Sequence, residues 1–322
     1  MEMNKNTTLE QIRETILGAN TIALSGHTNP DGDAIGACLA LAASLSQAGK
    51  TVEVFLEDFG DKYLAIPNHQ FIVTGTEITN PDLFIALDCG SKDRLGQEAL
   101  AVYEGARARI NFDHHKSNTY FAESNYVIAE ASSTSEMMYD LIAGHFPVDD
   151  GIAAALYAGI CYDTGGFRHS STSPKTMAIT GELMKYDFNF TDIYNQFFDS
   201  RSFLEMKGLG KSIENTQALF QGQVIFCTMS TADMESCGVV PKNLDAVVNY
   251  LKGVGDCKIA CFLYEKAPAE VKASFRCVDG YDVAALAQKF DGGGHVKAAG
   301  CTLWMSMDEA VATIKSELER VL

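Results

Sequence analysis

Three features are missing from this sequence: an apolar run of membrane-spanning length, a CxxC pair and an excess of basic residues. Its 322 residues include 25 basic and 42 acidic side chains, which gives a net charge of −17. Such an acidic balance argues against long duplex DNA, bulk RNA or an anionic membrane as the main partner, because these polyanions are bound by basic surfaces. A small phosphate ligand held in a local basic pocket is still allowed.

The cysteines and the first residues of the chain bear on its compartment. The nine cysteines are odd in number, and most of them, such as Cys161, Cys227 and Cys261, lie in apolar segments. We interpret them as reduced core residues rather than disulfide partners or zinc ligands. The first twenty residues carry charges throughout and lack the apolar core of a signal peptide. A cytoplasmic location is therefore expected.

The length and the hydrophobic patterns predict two α/β domains. A chain of 322 residues is too long for one ordinary core. The first half alternates strand-like and helix-like segments, as in a doubly wound parallel sheet, and from residue 132 to residue 200 the patterns turn helical. Residues 202–220 have the pattern of a helix interrupted by Gly208 and Gly210, after which strand patterns resume. We predict a first domain at 1–200, a helical linker at 201–220 and a smaller α/β domain at 221–322.

Acidic and histidine residues form four short clusters, most of which end an apolar stretch. They are His27, Asp31 and Asp33; Asp88; Asp113, His114 and His115; and Asp163. Open α/β sheets bind ligands at the carboxyl ends of their strands, so the clusters are expected to meet at one rim. The carboxylates would repel one another there unless cations neutralised them. Carboxylate with imidazole, without thiolate, suits Mn²⁺, Mg²⁺ or Fe²⁺, and the pattern predicts a two-metal hydrolase with manganese as the first choice.

Some of these residues have competing interpretations. Asp88 stands alone at a strand end and is the natural bridge between two ions ~3.5 to 4 Å apart, although it could instead form a turn before Gly90. Asp33 could cap the helix that follows it. Neighbouring side chains on an extended chain point to opposite sides, so His114 and His115 are expected to differ in role.

The glycine-rich segment at residues 291–300 is the main feature of the second domain. It could be a simple helix stop, or its N–H groups could bind an anion with the following residues opening a helix towards phosphate. Ser274 and Arg276 on a nearby strand favour an anion pocket, since a guanidinium can fork onto phosphate. Arg168 and His169, just after Asp163, are predicted to hold substrate phosphate, although Arg168 could instead neutralise the carboxylates.

Together these motifs resemble those of a known superfamily. The set His27-x-x-Pro30-Asp31-Gly32-Asp33, Asp88, Asp113-His114-His115, Asp163 and Gly292-Gly293-Gly294-His295 resembles the DHH phosphoesterases. The last motif, with Ala298-Ala299-Gly300, is similar to the DHH-associated domain of RecJ exonucleases and of stand-alone oligoribonuclease/pAp phosphatases. The resemblance implies a doubly wound parallel-sheet DHH catalytic domain followed by a smaller α/β substrate-binding domain with a mixed sheet.

The resemblance also implies a role for each motif residue. One metal would be held by His27 and Asp31, the other by Asp33, His114 and Asp163, and Asp88 would bridge them. His115 would contact the scissile phosphate and Asp113 would orient a histidine, so that the catalytic residues are His115, Asp113 and Asp88. The nucleotide would be held by Ser274, Arg276, Gly292, Gly293, Gly294 and His295. Asp291 departs from the pattern, because many relatives have a fourth glycine there.

The activity implied is hydrolysis of di- to pentaribonucleotides to mononucleotides, and of 3′,5′-bisphosphoadenosine (pAp) to AMP, by hydroxide attack on phosphorus with two Mn²⁺, or Mg²⁺ or another divalent ion. The expected partners are short RNA oligonucleotides or small nucleotides, and the family suggests a homodimer. A phosphodiesterase for cyclic dinucleotides such as c-di-AMP, or for pApA, is an open alternative.

Other functions are less favoured by the sequence. A RecJ-like exonuclease would need an aromatic and basic track for long single strands, and the sequence has no evident one. The GGGH motif argues against a family II pyrophosphatase. A nucleotide sensor with an inactive site and nonspecific RNA binding are disfavoured by the complete motif set and by the acidic charge, respectively.

Overall fold

The computed structural model describes residues 6–75, 78 and 80–322. The chain divides into two compact units, Met1–Ser200 and Arg201–Leu322. The first contains a five-stranded sheet and the second a six-stranded sheet. The predicted α/β architecture, with a parallel sheet followed by a mixed one, is confirmed.

The first unit alternates strands and helices before it becomes helical. Its strands are β1 (Thr21–Ser25), β2 (Thr51–Phe55), β3 (Leu83–Leu87), β4 (Ala108–Asp113) and β5 (Ser124–Val127). Its helices are α1 (Leu9–Gly18), α2 (Gly32–Gln47), α3 (Gln97–Gly105), α4 (Thr134–Ile142), α5 (Asp150–Asp163), α6 (Pro174–Leu183) and α7 (Phe190–Tyr194). Strand β5 had not been predicted; it is short, and its alternating burial leaves little apolar signal.

The sheet of the first unit is parallel throughout, in the order β2-β1-β3-β4-β5. The direction of winding changes between β1 and β3, and the carboxyl ends of the strands beside such a switch point form a natural ligand crevice. His27 follows β1 and Asp88 follows β3, so both flank this crevice. Asp113 is the last residue of the next strand, β4.

Both faces of this sheet are covered, as a buried parallel sheet requires. One face packs through residues such as Leu24 and Ile85 against α1, α2, α4 and α5, and the other packs through Phe84 against α3. Helix α2 is buried over nearly its whole length because it is built from small and apolar residues. Its Gly36 lies so close to α5 that a Cβ there would come within 2.6 Å of the Ala155 carbonyl oxygen.

The second unit mixes strand directions. Its strands are β6 (Gln217–Leu219), β7 (Val224–Met229), β8 (Ile259–Ala267), β9 (Glu270–Cys277), β10 (Gly293–His295) and β11 (Ala298–Leu303). Its helices are α8 (Phe203–Glu214), α9 (Thr231–Cys237), α10 (Val247–Lys252), α11 (Val283–Gln288) and α12 (Met307–Val321). The sheet order is β10-β11-β9-β8-β7-β6, and β7 and β8 are its parallel pair.

Residues 201–220, predicted as a linker, lie within the second compact unit and form α8 and β6. The expected interruption of α8 at Gly208 and Gly210 is wrong. Helix α8 runs through both glycines, and Gly208 is buried so closely that a Cβ would lie 2.8 Å from Leu244. The glycine signal here marks close packing rather than a helix break.

Two further observations concern the cysteines and the apolar character of the helices. The nine cysteines are unpaired, as predicted, and all but Cys237 are buried. Among the described residues, no helix has both the length and the apolar character needed to cross a membrane.

Candidate metal and phosphate site

Asp88 lies at the centre of the predicted metal ligands. It follows β3 with a left-handed backbone (φ 55°), a conformation that Asp tolerates better than most residues, and it is 2% exposed. Its Oδ2 lies 3.7 Å from His27 Nε2, and its Oδ1 lies 3.5 Å from His114 Nε2. The two oxygens of one carboxylate therefore face histidines from two different clusters.

The predicted ligands form overlapping groups. In each group the ligand atoms lie within 4.8 Å of one another, a spacing that a single cation can span. The groups are His27, Asp31 and Asp88; Asp33, His114 and Asp163; and Asp88, His114 and His115. The first two correspond to the two predicted ligand sets, which the structure brings together around Asp88.

Hydrogen bonds orient the histidines for ligation through Nε2. His27 Nδ1 donates to the Thr28 carbonyl oxygen at 2.8 Å, and His114 Nδ1 donates to the Ala131 carbonyl oxygen at 3.3 Å. A ring that donates from Nδ1 keeps its Nε2 lone pair free in the neutral form. This is the usual arrangement of metal-ligating histidines.

The helix cap of α2 is Asp31, so the alternative in which Asp33 caps this helix is wrong. Asp31 Oδ1 accepts hydrogen bonds from the backbone N–H groups of Asp33 and Ala34 at 3.0 and 3.2 Å. Its Oδ2 lies 3.9 Å from His27 Nε2. One oxygen thus fixes the start of the helix while the other faces the site.

In an extended chain, His114 and His115 would point to opposite sides. In the structure they do not. β4 ends at Asp113, and the two rings lie edge to face with centroids 4.7 Å apart. Their partners nevertheless differ. His114 Nε2 lies 3.4 Å from Asp163 Oδ2, whereas His115 Nδ1 donates to Asp113 Oδ1 at 2.7 Å.

Asp113 is a buried carboxylate that orients His115. Burial opposes its ionisation, but hydrogen bonds from His115 and from Asn118, whose Nδ2 donates at 2.6 Å, outweigh burial and lower the pKa of Asp113. The same bond from His115 raises the pKa of His115 to about 9, against the opposing effect of burial. In the absence of a cation, His115 is therefore a protonated group at neutral pH, with a side chain 40% exposed.

Burial and mutual repulsion raise the pKa values of three other carboxylates in the cluster. Burial is the main cause that raises the pKa of Asp33, Asp88 and Asp163 to about 7. Repulsion from neighbouring carboxylates adds to this effect in each case. A bound cation would relieve both the desolvation and the repulsion, and oxygen and imidazole donors without thiolate suit Mn²⁺ or Mg²⁺. The donor set therefore fits a divalent metal.

Arg168 and His169 lie on the surface just beyond Asp163. His169 Nδ1 donates to the Asp163 carbonyl oxygen at 3.1 Å, and its ring packs against Gly165. Arg168 Nε donates to the Gly165 carbonyl oxygen at 2.9 Å, and its guanidinium lies over Phe198. Both side chains are exposed. They lie in the loop that follows α5, beside the cluster of predicted metal ligands and outside its buried centre.

The start of helix α4 also contacts the cluster, which the sequence analysis missed. The N–H groups of Thr134 and Ser135 donate to the two oxygens of Asp33, at 2.6 and 2.9 Å. The Thr134 hydroxyl donates to Asp88 Oδ1 at 3.0 Å. The signal available in the sequence is the run Ser132-Ser133-Thr134-Ser135 before an apolar segment, a pattern that by itself predicts only a helix.

Gly159 of α5 allows this close approach. A Cβ at this position would lie 1.9 Å from Ser135 Oγ, 2.7 Å from Ser135 Cβ and 2.8 Å from Asp33 Oδ1. The hydroxyl could rotate away, but the Cβ and the hydrogen-bonded carboxylate could not move without shifting α4.

We expect Gly159→Ala to destabilise the protein by about 1–3 kcal/mol through overpacking and to weaken Mn²⁺ binding. Thermal unfolding and Mn²⁺ titration measure these two effects. Gly181→Ala is the matched control, because Gly181 also lies in a helix but has open space around its Cβ position. Equal behaviour of the two variants would contradict this packing role.

In the second unit, the side chains of the predicted phosphate-binding residues lie on one face of the sheet. Arg276 on β9 pairs with Ala298 on β11, which in turn pairs with His295 on β10. Ser274, Gly300 and Gly293 form the adjacent row on the same face. Since Ala298 and Gly300 are small, they leave a shallow strip between Arg276 and His295.

The expected helix after the glycine run is wrong. Gly293–His295 form β10, which pairs with β11 as a hairpin. Gly292 and Gly294 are required by close packing, since a Cβ at either would lie 2.4 Å from a backbone oxygen of β11. Gly293 has open space instead. The anion would therefore be met by strand N–H groups and side chains, without a helix dipole.

Arg276 is held in place at this strip. Its Nε donates to Asn249 Oδ1 at 3.1 Å and its Nη1 donates to the Phe275 carbonyl oxygen at 2.9 Å. The guanidinium has further N–H groups that these two bonds do not use. They are the groups available to a phosphate.

Known proteins share this domain pair. Residues 21–160 match the DHH family, N-terminal domain, and residues 222–320 match the DHHA1 domain. A protein of Bacillus subtilis (strain 168) named bifunctional oligoribonuclease and PAP phosphatase NrnA is 27% identical over 313 residues, covering 93% of this chain and 94% of that protein. The protein of the same name from Thermus thermophilus is 28% identical over 310 residues, covering 93% and 90%.

A solved structure extends the similarity to the fold of the whole chain. The crystal structure of an exopolyphosphatase-related protein from Bacteroides fragilis matches with a TM-score of 0.86 at 26% identity, covering 97% of this chain and 95% of that one. The chain therefore consists of a DHH-family N-terminal domain followed by a DHHA1 domain.

Proposed function

We propose that this protein is a divalent-cation-dependent phosphoesterase that hydrolyses short oligoribonucleotides to mononucleotides and 3′,5′-bisphosphoadenosine to AMP. Two relatives that match nearly the full length of this chain have names that include both activities, which supports the proposal. In this proposal, residues 1–200 carry out catalysis and residues 221–322 bind the nucleotide.

The position of Asp88 is the observation that carries this proposal. Its oxygens face His27 on one side and His114 on the other, at 3.7 and 3.5 Å. Asp31 joins the first side, while Asp33 and Asp163 join the second. Such an arrangement suits a carboxylate that bridges two cations, and we propose Mn²⁺ for both.

When bound, a pair of cations supplies positive charge at the attacking and leaving oxygens of a phosphoester. The chain's own contribution is to hold that charge in place. His27 and His114 offer fixed Nε2 lone pairs. Because the carboxylates are buried, little water competes with them for a cation. The pKa of about 7 at Asp88 means that cation binding releases protons below neutral pH.

His115 is proposed to contact the scissile phosphate. Its pKa of about 9 keeps it protonated at neutral pH, and Asp113 holds its Nδ1 at 2.7 Å. Its Nε2–H is then directed away from Asp113 and can donate to a phosphate oxygen. Arg168 and His169, exposed beside Asp163, are proposed to hold a further phosphate of the substrate.

Arg276, Ser274 and His295 are proposed to bind the rest of the nucleotide in the second unit. Their shared face of the sheet offers a guanidinium, a hydroxyl and an imidazole around a strip made of small residues. Gly293 leaves room for the close approach of a phosphate. The net charge of −17 favours short substrates over long polyanions.

The test is Mn²⁺-dependent turnover of a substrate panel. It contains pApA, longer oligoadenylates, pAp, cyclic di-AMP and pyrophosphate, each assayed with the wild-type protein and with Asp88→Asn. We expect release of AMP from pApA and from oligoadenylates of up to about five nucleotides, and release of phosphate from pAp. Asp88→Asn should lose all of these activities.

Other outcomes would assign the site differently. Selective cleavage of cyclic di-AMP would replace the proposed activity by a cyclic dinucleotide phosphodiesterase. Preference for the longest oligoadenylates over pApA would favour a RecJ-like exonuclease. Lack of turnover of every substrate with any divalent metal would contradict a phosphoesterase and favour a nucleotide-binding protein.

A further inference from the structure

Thr134 contacts two carboxylates that belong to different proposed metal ligand sets. Its backbone N–H donates to Asp33 Oδ2 at 2.6 Å, and its hydroxyl donates to Asp88 Oδ1 at 3.0 Å. Thr134 and Asp33 have no exposed surface, and Asp88 is 2% exposed. These hydrogen bonds are therefore made without competition from water.

The local structure of α4 explains why Thr134 can serve both carboxylates. Ser133 caps the helix, and its side chain accepts a hydrogen bond from Glu136 N at 3.0 Å. The N–H groups of Thr134 and Ser135 precede the first intrahelical partners and point out of the helix end. Asp33 accepts both of them, so its two oxygens are fixed by the α4 backbone.

The hydroxyl adds a link that the backbone cannot provide. Threonine has one O–H proton, and here it is directed at Asp88 Oδ1, the oxygen that faces His114. The bond restricts rotation of the Asp88 carboxylate while a second lone pair of Oδ1 and all of Oδ2 stay available to ligate cations. Asp33 and Asp88 are thereby held in one mutual orientation by a single residue.

We propose that Thr134 is a positioning residue that sets the orientation of Asp88 relative to Asp33, and through it the arrangement of the two cations. This inference rests on the proposed function, in which Asp88 bridges the cations and Asp33 ligates one of them. Partners that orient metal ligands are worth roughly 10- to 100-fold in metal affinity.

The test is Mn²⁺ binding by Thr134→Val, measured by calorimetry on the full chain after removal of metal by a chelator. Valine keeps the shape and the backbone N–H but removes the hydroxyl. We expect Mn²⁺ affinity to fall roughly 10- to 100-fold, and Thr134→Ser, which retains the hydroxyl, to stay near the wild-type affinity. Thr134→Ala gives the same comparison with less steric demand if the valine variant does not fold.

Thr176→Val is the matched control. Thr176 is also completely buried, and its hydroxyl donates to a buried carboxylate, Glu136 Oε2, at 2.7 Å, but Glu136 is outside the proposed ligand sets. This variant is expected to lose thermal stability while its Mn²⁺ affinity is unchanged. A general effect of losing a buried hydroxyl would lower the affinity of both variants equally and would overturn the proposal.

Asp88→Asn separates failure of this inference from failure of the proposed site. If Asp88→Asn binds Mn²⁺ as tightly as the wild type, the site itself is wrong. If Asp88→Asn binds weakly but the hydroxyl-lacking variants of Thr134 keep the wild-type affinity, the site stands and the positioning role is overturned.

Discussion

Asp88→Asn is expected to abolish detectable hydrolysis of pApA and to weaken Mn²⁺ binding by roughly two to four powers of ten. The reason is that Asp88 offers one oxygen to each side of the site, at 3.7 Å from His27 Nε2 and 3.5 Å from His114 Nε2. Asparagine has nearly the same volume but replaces one anionic oxygen by an N–H₂ group, which cannot ligate a cation. Removing one partner from a buried charge cluster costs about 3–5 kcal/mol, which corresponds to that loss of affinity.

Asp82→Asn is the matched control for this experiment. Asp82 immediately precedes β3, at the end of the strand opposite Asp88, and accepts hydrogen bonds from the N–H groups of Asn20 and Thr21 at 3.0 and 3.1 Å. Its replacement is expected to reduce stability slightly and to leave turnover unchanged. Wild-type turnover by Asp88→Asn, measured with Mn²⁺ at saturation, would contradict the bridging role.

Without metal, the protein is expected to lose stability as the pH rises from 5 to 8. The pKa of Asp33, Asp88 and Asp163 is raised to about 7 in the fold, against the ordinary value of 3.8. These groups therefore hold protons in the folded state through an interval in which the unfolded chain has released them. The free energy of unfolding then falls between about pH 4 and 7.

His115 acts in the same direction at higher pH. Its pKa is raised from 6.5 to about 9, so the stability that its protonated form contributes is lost as the pH rises through that range. In the proposed site, Mn²⁺ would bind the ionised carboxylates and reverse the trend. We therefore expect the increase in melting temperature caused by Mn²⁺ to be larger at pH 8 than at pH 5.5.

The measurement is thermal unfolding of chelator-treated protein at several pH values, with and without Mn²⁺. Asp88→Asn serves as the comparison, because it removes one titrating group and the repulsion that this group exerts on Asp33. The variant without metal should show a shallower loss of stability with pH than the wild type. Identical pH dependence of the two proteins would contradict the assignment of these pKa values to the cluster.

The sequence predicted the strand-end part of the site because a parallel sheet has a simple rule. Residues that follow adjacent strands meet at one edge, so His27, Asp88 and Asp113 could be placed together from their apolar approaches alone. The same rule predicts nothing about side-chain direction after the strand ends. For that reason the adjacent packing of the His114 and His115 rings was not anticipated.

Contacts made to the site by residues outside the sheet could not be predicted from the sequence either. The link between Thr134 and Asp33 joins residues 101 positions apart, and it depends on how α4 packs against both α2 and α5. Gly208 predicted a helix break by its local propensity, but it serves close packing, as Gly159 also does. The β10 hairpin was missed because three glycines carry no strand pattern.

A titration of Mn²⁺ into metal-depleted protein, with bound Mn²⁺ and pApA hydrolysis followed in the same samples, tests whether the site around Asp88 is a two-cation catalytic centre. We expect that each chain binds two cations, that hydrolysis is absent without them, and that it reaches its full rate only when both are bound. Full hydrolysis in the presence of a chelator, or a chain that binds no Mn²⁺, would contradict it.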